Sequence, residues 1–357
     1  MSRLGTDPIL SIQDLDVKFT TSEGEVHILR QVSLDIERGS FLCIVGESGC
    51  GKSVTVHSVV QLLPENGEIT GGRVLFTVDG RDQEISSMSR YGAQIRGIRG
   101  ARIGMIFQDT MSSLNPAHKV GRQVAENLHQ HRKISRREAR ELVVKMFSRL
   151  GIPDAERRVD AYPHEFSGGM RQRVMIAMAM ICDPDLLIAD EPTTALDVTI
   201  QAQIMELLKT LQQEAGKTVV LITHNMGLVS EVADDVAVMY LGRVVEHGSR
   251  EQVLKNPQHP YTQALLQSVP FMGMDPNVPL RTIAGQTPSP ASVTDGCEFA
   301  GRCPYVQDRC LTGKIAFRQA ADGHVARCVL LDEDGMSECS RRDDARVEDS
   351  SGQEART

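Results

Sequence analysis

No apolar run in these 357 residues approaches the roughly 20 needed to cross a bilayer, and the opening MSRLGTDPIL has no signal-peptide core. The expectation is a chain made and kept in the cytosol. Positive charge is also scarce. The formal net charge is -8, and Leu331 to Thr357 alone holds nine acidic and four basic residues, so that tail supplies -5 and the remainder -3. A global positive field for nucleic acid is therefore absent, and no nucleic-acid partner is expected. With almost no large apolar side chains, the tail reads as a disordered, solubilising extension. Paired C-x2-C spacing and sustained heptads are missing too, which argues against a zinc ribbon and a long coiled coil.

What remains is ordinary for a globular chain: 41% hydrophobic and 24% charged residues, with room for about two domains of roughly 150 residues. Within it, Gly46-Glu47-Ser48-Gly49-Cys50-Gly51-Lys52-Ser53 fits G-x-x-x-x-G-K-[ST]. Phe41 to Val45 before it reads as a buried parallel strand. Ser53 to Leu63 after it, free of glycine and proline, reads as a helix ended by Pro64. Tight glycine turns aim successive N-H groups and a helix N-terminus at one anion, so the loop is expected to cradle phosphates. Lys52 would reach the β- and γ-phosphates and the Ser53 hydroxyl would hold magnesium.

Residues 9 to 36 alternate apolar and polar with a turn at Gly24, which predicts an antiparallel sheet; Phe19 lies in it, an aromatic able to stack on a purine. Gly71 to Val78 predicts a strand ending in the hairpin turn Asp79-Gly80. Arg102 to Gln108 is an apolar strand whose terminal glutamine can reach magnesium or the attacking water. From 109 to 165 the pattern turns helical. Ser135 to Glu138 is a capping box, and Ala139, Leu142, Val143, Met146, Phe147 and Leu150 repeat at helical spacing before Gly151 and Pro153. The basic stretch His129 to Arg140 reads as a solvated helix start, with the cytosolic loops of a membrane partner as a further use.

Ser167, Gly168 and Gly169 open a second helix with an anion-binding N-terminus, a surplus that suggests service to a different subunit. Leu186 to Ala189 runs into Asp190 and Glu191, placed to bind magnesium through water and to polarise a nucleophilic water. Asp197 precedes a helix over Ile200 to Gln213. A last apolar strand, Val219 to Thr223, ends at His224, where chemistry clusters in nucleotide-binding sheets.

Together these ordered motifs resemble the ATP-binding cassette (ABC) family, specifically the ATPase subunits of peptide-type importers, over about residues 8 to 330. The resemblance implies an α/β P-loop NTPase cassette, a RecA-like core with an antiparallel β subdomain and a helical subdomain, followed by a small cysteine-bearing C-terminal extension. It gives Phe19 as the adenine-stacking aromatic, residues 46 to 53 as Walker A, Gln108 as the Q-loop, and Ser167, Gly168 and Gly169 as the signature. Asp190 and Glu191 become Walker B with its catalytic carboxylate, Asp197 the D-loop, and His224 the switch histidine at the γ-phosphate. Phe166, Met170 and Asn225 depart from the commonest leucine, glutamine and aspartate, yet none removes a phosphate-contacting group. A hydrolytically competent ATP and Mg2+ site is expected.

DEPTTALDVTIQAQ at 190 to 203 and His259-Pro260-Tyr261-Thr262 look like dipeptide, oligopeptide and nickel importer ATPases. The implied divisions are an ATPase domain over 8-255, with its helical subdomain at about 109-170, an oligopeptide-importer-type domain over 256-330, and the acidic tail over 331-357. Cys43, Cys50 and Cys182 read as reduced and structural. Cys297, Cys303, Cys310 and Cys328, spaced x5, x6 and x17, suggest metal over disulfide in a cytosolic chain. Family members with this cysteine pattern can carry a [4Fe-4S] cluster, with zinc or free thiols as the alternatives; Cys339 reads as a spare. The implied assembly is a second ATPase subunit, more often a paralogue, two transmembrane permease subunits and an extracytoplasmic substrate-binding protein, with the chain peripheral on the cytoplasmic face of the inner membrane. Peptide is the expected cargo, with nickel or an oligosaccharide as alternatives. A non-transport ABC ATPase of DNA repair or translation is disfavoured because Ser53 and Ser167 lie only 114 positions apart and each motif occurs once. An exporter's ATPase is disfavoured because no membrane domain is fused.

Overall fold

The computed structural model describes residues 8 to 331 except 109 to 112, 195, 269 to 282 and 293 to 294. The acidic tail beyond 331, with Cys339, and Ala195 beside the D-loop lie outside the described residues. At the start, β1 (Pro8–Thr21) and β2 (Gly24–Glu37) pair antiparallel around Gly24, as the alternation predicts. β1 also pairs with β4 (Gly67–Val78), which turns through Asp79 and Gly80, both at positive φ, into β5 (Arg81–Glu84). Two left-handed residues at the tip match the twist of a two-residue hairpin, and the sheet order is β2-β1-β4-β5.

The central sheet is built on β3 (Phe41–Val45), β6 (Ile103–Ile106), β7 (Leu186–Asp190), β8 (Thr218–Thr223) and β9 (Asp235–Tyr240). These run parallel in the order β9-β3-β8-β7-β6. Their continuous apolar runs reflect burial on both faces. Phe41, Cys43, Val45, Leu187, Ala189, Val219 and Leu221 point into one core, which is shared with the helices. Leu42, Ile44, Leu186, Ile188, Val220 and Ile222 alternate into the other, which is shared with the antiparallel sheet.

After β3 comes α1 (Lys52–Val59), shorter than the stretch to Leu63 allowed, because Gln61 turns at φ 54° before Pro64. α2 (Ala93–Ile98) leads into β6. α3 (Val120–His131), α4 (Arg136–Arg149), the single turn α5 (Ala155–Arg158) and α6 (Gly168–Met180) form the helical part. The Ser135–Glu138 capping box forms as its pattern predicts. Ala139, Val143, Phe147 and Leu150 are buried, and Leu142 and Met146 pack at the margin. α7 (Val198–Ala215) and α8 (Met226–Val232) follow β7 and β8.

β10 (Arg243–Ser249) continues the central sheet antiparallel to β9 and leads through α9 (Arg250–Lys255) to α10 (Pro260–Gln267). The cysteine-bearing extension then returns. Its hairpin β11 (Arg318–Ala321) and β12 (His324–Ala326) adds to β10, so the eight strands run β11-β12-β10-β9-β3-β8-β7-β6. Buried Glu246 locks this seam: it accepts from the backbone N-H of Gln258 and His259, and His324 Nε2 lies 2.8 Å from its carboxylate. Among the described residues, no helix is long and apolar enough to cross a membrane.

Candidate functional site

The phosphate loop leaves β3 at Gly46 and enters α1 at Lys52. Gly46 (φ 152°) has no room for a side chain, since a Cβ there would sit 2.2 Å from the Met239 carbonyl oxygen. Gly51 stands at φ 102° as the α1 cap, and a Cβ would meet Leu29 at 2.8 Å. Only glycine serves at both turns. Lys52 is buried, with Nζ donating to the carbonyls of Gly46 (2.8 Å) and Glu47 (2.9 Å), so its ammonium is folded back on its own loop. Burial pushes the Cys50 thiol pKa up, outweighing the Lys52 charge that lowers it.

Opposite the loop, β7, separated from β3 by β8, ends at Asp190, with Glu191 next in the chain. Ser53 Oγ donates to Asp190 Oδ1 at 2.9 Å, joining residues 137 positions apart. His57 Nε2 lies 3.5 Å from Asp190 Oδ2. Sequence reasoning passed over His57, although it falls one helical turn beyond Ser53 and so shares its face. Glu191 stands at φ 45°, a left-handed conformation that costs a non-glycine residue about 1–3 kcal/mol unless its surroundings hold it. They do so from four sides. Its N-H donates to Ile222 O (3.0 Å), and its carboxylate accepts from Gln108 Nε2 (2.9 Å) and Thr194 Oγ1 (3.1 Å), with His224 Nδ1 at 3.3 Å. Parallel pairing of β6, β7 and β8 brings Gln108, Glu191 and His224 together beyond the carboxyl ends of these strands. Thr194 is a partner that the motif reading did not name.

Other predicted positions lie elsewhere. Ser167 caps α6, its Oγ accepting from Met170 N-H (3.3 Å), and Asp197 caps α7 by accepting from Ile200 N-H (3.0 Å). A Cβ on Gly169 would touch Ile200 at 2.9 Å and one on Gly168 would touch Leu196 at 3.7 Å, so the signature turn packs on the start of α7. None of these contacts reaches the phosphate loop of the same chain. Phe19 lies on β1 over Gly67, where a Cβ would meet its ring at 2.6 Å.

Within the loop, Glu47 faces the extension. Arg302 Nη1 and Nη2 donate to its two carboxylate oxygens at 2.6 and 3.1 Å, and Thr287 Oγ1 donates at 3.0 Å. Burial raises the Glu47 carboxyl pKa, but these hydrogen bonds outweigh it and hold the group below its usual range. The Glu47 N-H donates to Tyr261 Oη at 2.8 Å, and Tyr261 packs with Tyr240 and Phe299 in an aromatic cluster. Arg302 lies 255 positions from Glu47, and no local pattern announces the pair.

The extension gathers Cys297, Cys303, Cys310 and Cys328 on one small cavity walled by His259, Phe299, Ile315, Val329 and Leu330. At about 10 Å³ it admits at most one water. Burial pushes the Cys297 thiol up to about 12 and the Cys328 thiol up to about 11, with the neighbouring thiols adding like-charge repulsion. A metal ligand set must be deprotonated, so these thiols would need a cation to stay charged. Among the described residues, no three His, Cys, Asp or Glu side chains stand close enough to share one metal ion. The expected metal site is thus not preformed among the described residues.

Comparison with known proteins agrees with the motif order. A family model described as "ABC transporter" matches residues 29–194, and one described as "Oligopeptide/dipeptide transporter, C-terminal region" matches 245–310. The dipeptide transport ATP-binding protein DppD of Bacillus subtilis is 49% identical over 331 residues, covering 92% of this chain and 96% of its own length. The oligopeptide transport ATP-binding protein OppD of the same organism is 45% identical over 333 residues, covering 91% and 90%. A solved ATP-binding cassette, MJ0796, dimeric in a post-hydrolysis state with ADP and Pi, superposes with a TM-score of 0.59 at 28% identity over 68% of this chain and 98% of that one.

Proposed function

The chain belongs to the ABC transporter ATPase family, with the oligopeptide/dipeptide transporter C-terminal region, and from that premise we propose that it binds and hydrolyses ATP to energise peptide import. The observation that carries this reading is the meeting of Ser53 with Asp190 at 2.9 Å beside Glu191, itself held by Gln108 and His224.

In this reading the backbone N-H groups of residues 49 to 53 receive the phosphates, and Lys52 leaves its carbonyls for the β- and γ-phosphates. Ser53, Asp190 and Gln108 would hold Mg2+, which when bound neutralises charge on the phosphate oxygens. The Ser53–Asp190 hydrogen bond supports the fit, because it sets a hydroxyl and a carboxylate on one spot, both hard oxygen donors. Glu191 orients and polarises the attacking water, and His224 stabilises charge developing on the γ-phosphate. Phe19 stacks on the adenine.

Ser167, Gly168 and Gly169 complete the site of a second cassette, and that cassette's signature completes this one. Support comes from the signature turn, whose contacts run to α7 and leave its own phosphate loop open. ATP then favours the closed pair, and its cleavage removes that bias. Two permease subunits would receive the movement near Gln108 and the helical part, with an external binding protein delivering cargo. The chain would be peripheral on the cytoplasmic face. The proposed units are an ATPase domain over 8-255, an oligopeptide-importer-type domain over 256-330 and an acidic tail over 331-357. Glu191→Gln is expected to keep ATP binding and to lose more than 99% of turnover, on the order expected for a lost water-activating group. Near-normal ATPase activity of this variant, assayed with its membrane partners, would refute the assignment.

For the extension, we propose a [4Fe-4S] cluster on Cys297, Cys303, Cys310 and Cys328. The four thiols that line one apolar cavity support it, four thiolates being the ligand set such a cluster takes. Such a cluster, held by these four thiolates, would cross-link the segments that carry them and offset part of the thiolate charge. Anaerobically purified protein is expected to be brown and to contain about four irons per chain. Colourless protein with stoichiometric zinc rejects the cluster.

A further inference from the structure

A carboxylate in a loop that must receive a polyphosphate needs its charge compensated. Glu47 occupies the first variable position of the phosphate loop, and its negative charge would repel the ligand through a partly desolvated medium. The compensation comes from outside the cassette core. Arg302 grips the Glu47 carboxylate bidentately at 2.6 and 3.1 Å, and the guanidinium is almost closed to solvent, with 6% of its side chain exposed. Its other donors are also engaged: Nε donates to the Ala284 carbonyl (3.0 Å), and Nη1 lies 3.3 Å from both Tyr240 Oη and Thr287 Oγ1. A planar guanidinium tied on so many sides holds one geometry, which a lysine could not reproduce.

Where Arg302 sits in the extension matters as much. It ends a single 3-10 turn, residues 300–302, bracketed by Cys297 and Cys303. That turn is closed by Ala300 N-H to Cys297 O (3.0 Å) and Cys303 N-H to Ala300 O (3.3 Å), and Cys297 N-H donates to Cys310 O (2.8 Å). Phe299, which caps that turn, packs edge-on to Tyr240 and against Tyr261, whose hydroxyl accepts the Glu47 N-H. Two independent contacts therefore run from the cysteine turn to one residue of the phosphate loop.

We propose that Arg302 is a positioning residue for the phosphate loop: it cancels the Glu47 charge and makes nucleotide affinity depend on the ordered cysteine turn that carries it. This rests on the reading of the loop as an ATP site. By reciprocity, nucleotide in the loop stiffens the turn by the same free energy.

The test is a cycle of ATP·Mg2+ dissociation constants on the full-length chain. Arg302→Ala is expected to weaken binding about five- to tenfold, the low end for coupled sites. Arg302→Lys restores only part of that loss, whereas Arg302→Ala combined with Glu47→Gln returns affinity to about the wild-type value, since the charge to be cancelled is gone. An Arg302→Ala variant that is less heat-stable but binds ATP normally overturns the proposal, and so does a double variant as weak as the single one. Should Arg302→Ala not fold, hydrogen exchange on the wild type decides. Amides of 297–303 slow on adding ATP and Mg2+ if the coupling exists, and unchanged exchange refutes it. Wild-type protein that binds no ATP would instead refute the reading of the loop and this inference with it.

Discussion

His259 shows how one side chain ties chemistry to architecture. It caps α10, with Nδ1 accepting the Tyr261 N-H at 3.1 Å, while its own N-H donates to Glu246. Complete burial, with the Arg327 charge adding to it, pushes its pKa down to about 3. The ring is thus neutral when folded and titrates near 6.5 when unfolded. Between those values the unfolded chain binds the extra proton. This contribution to stability is complete above pH 6.5 and is lost as the pH falls toward 3, with a slope of up to about 1.4 kcal/mol per pH unit. Urea midpoints measured from pH 7.5 to 5 are expected to fall, and His259→Gln, which keeps a capping acceptor, is expected to flatten that slope. An equally steep fall in the variant would remove His259 as its cause. At this scale the motif residues were legible, since a phosphate loop and a strand ending in acids are local patterns. His57, Thr194 and Arg302 were not, because each is defined by what it meets.

At the scale of elements, α4 was the most legible. Its capping box satisfies free N-H groups at one end, its apolar positions recur with the helical period, and Gly151 at φ 70° follows its end. Phe147 is fully buried on that face, against the core shared with α3 and α6. Phe147→Ala should therefore cost about 3–5 kcal/mol in urea unfolding, whereas Ser135→Ala, which removes only the cap, should cost about 1 kcal/mol. Equal losses would mean that packing does not dominate this helix. The end of α1 was less legible, because its sequence stays helix-compatible to Leu63 while Gln61 takes a left-handed turn. The β11–β12 hairpin carried no signal strong enough to foretell that it extends the central sheet.

For the whole molecule, the consequence lies in what one chain leaves incomplete. Lys52, Ser53, Gln108, Asp190, Glu191 and His224, the groups proposed to receive magnesium, water and phosphate, gather at the carboxyl ends of β3, β6, β7 and β8, while the signature turn packs on the start of α7. Glu191→Gln with ATP is expected to run at about twice the monomer mass, alone or mixed with a second cassette subunit, because the intact ligand is the proposed bridge. A species that stays monomeric with both cassettes present and ATP bound would contradict the split site. Chain-local physics settled much of this beforehand: glycine turns, two-sided apolar strands, caps and helical periods depend on neighbours a few positions away. Tertiary structure alone decided which distant groups meet. Ser53 reaches Asp190 across 137 positions and Arg302 reaches Glu47 across 255, because strand order and register, which spacing along the chain does not encode, bring those segments side by side.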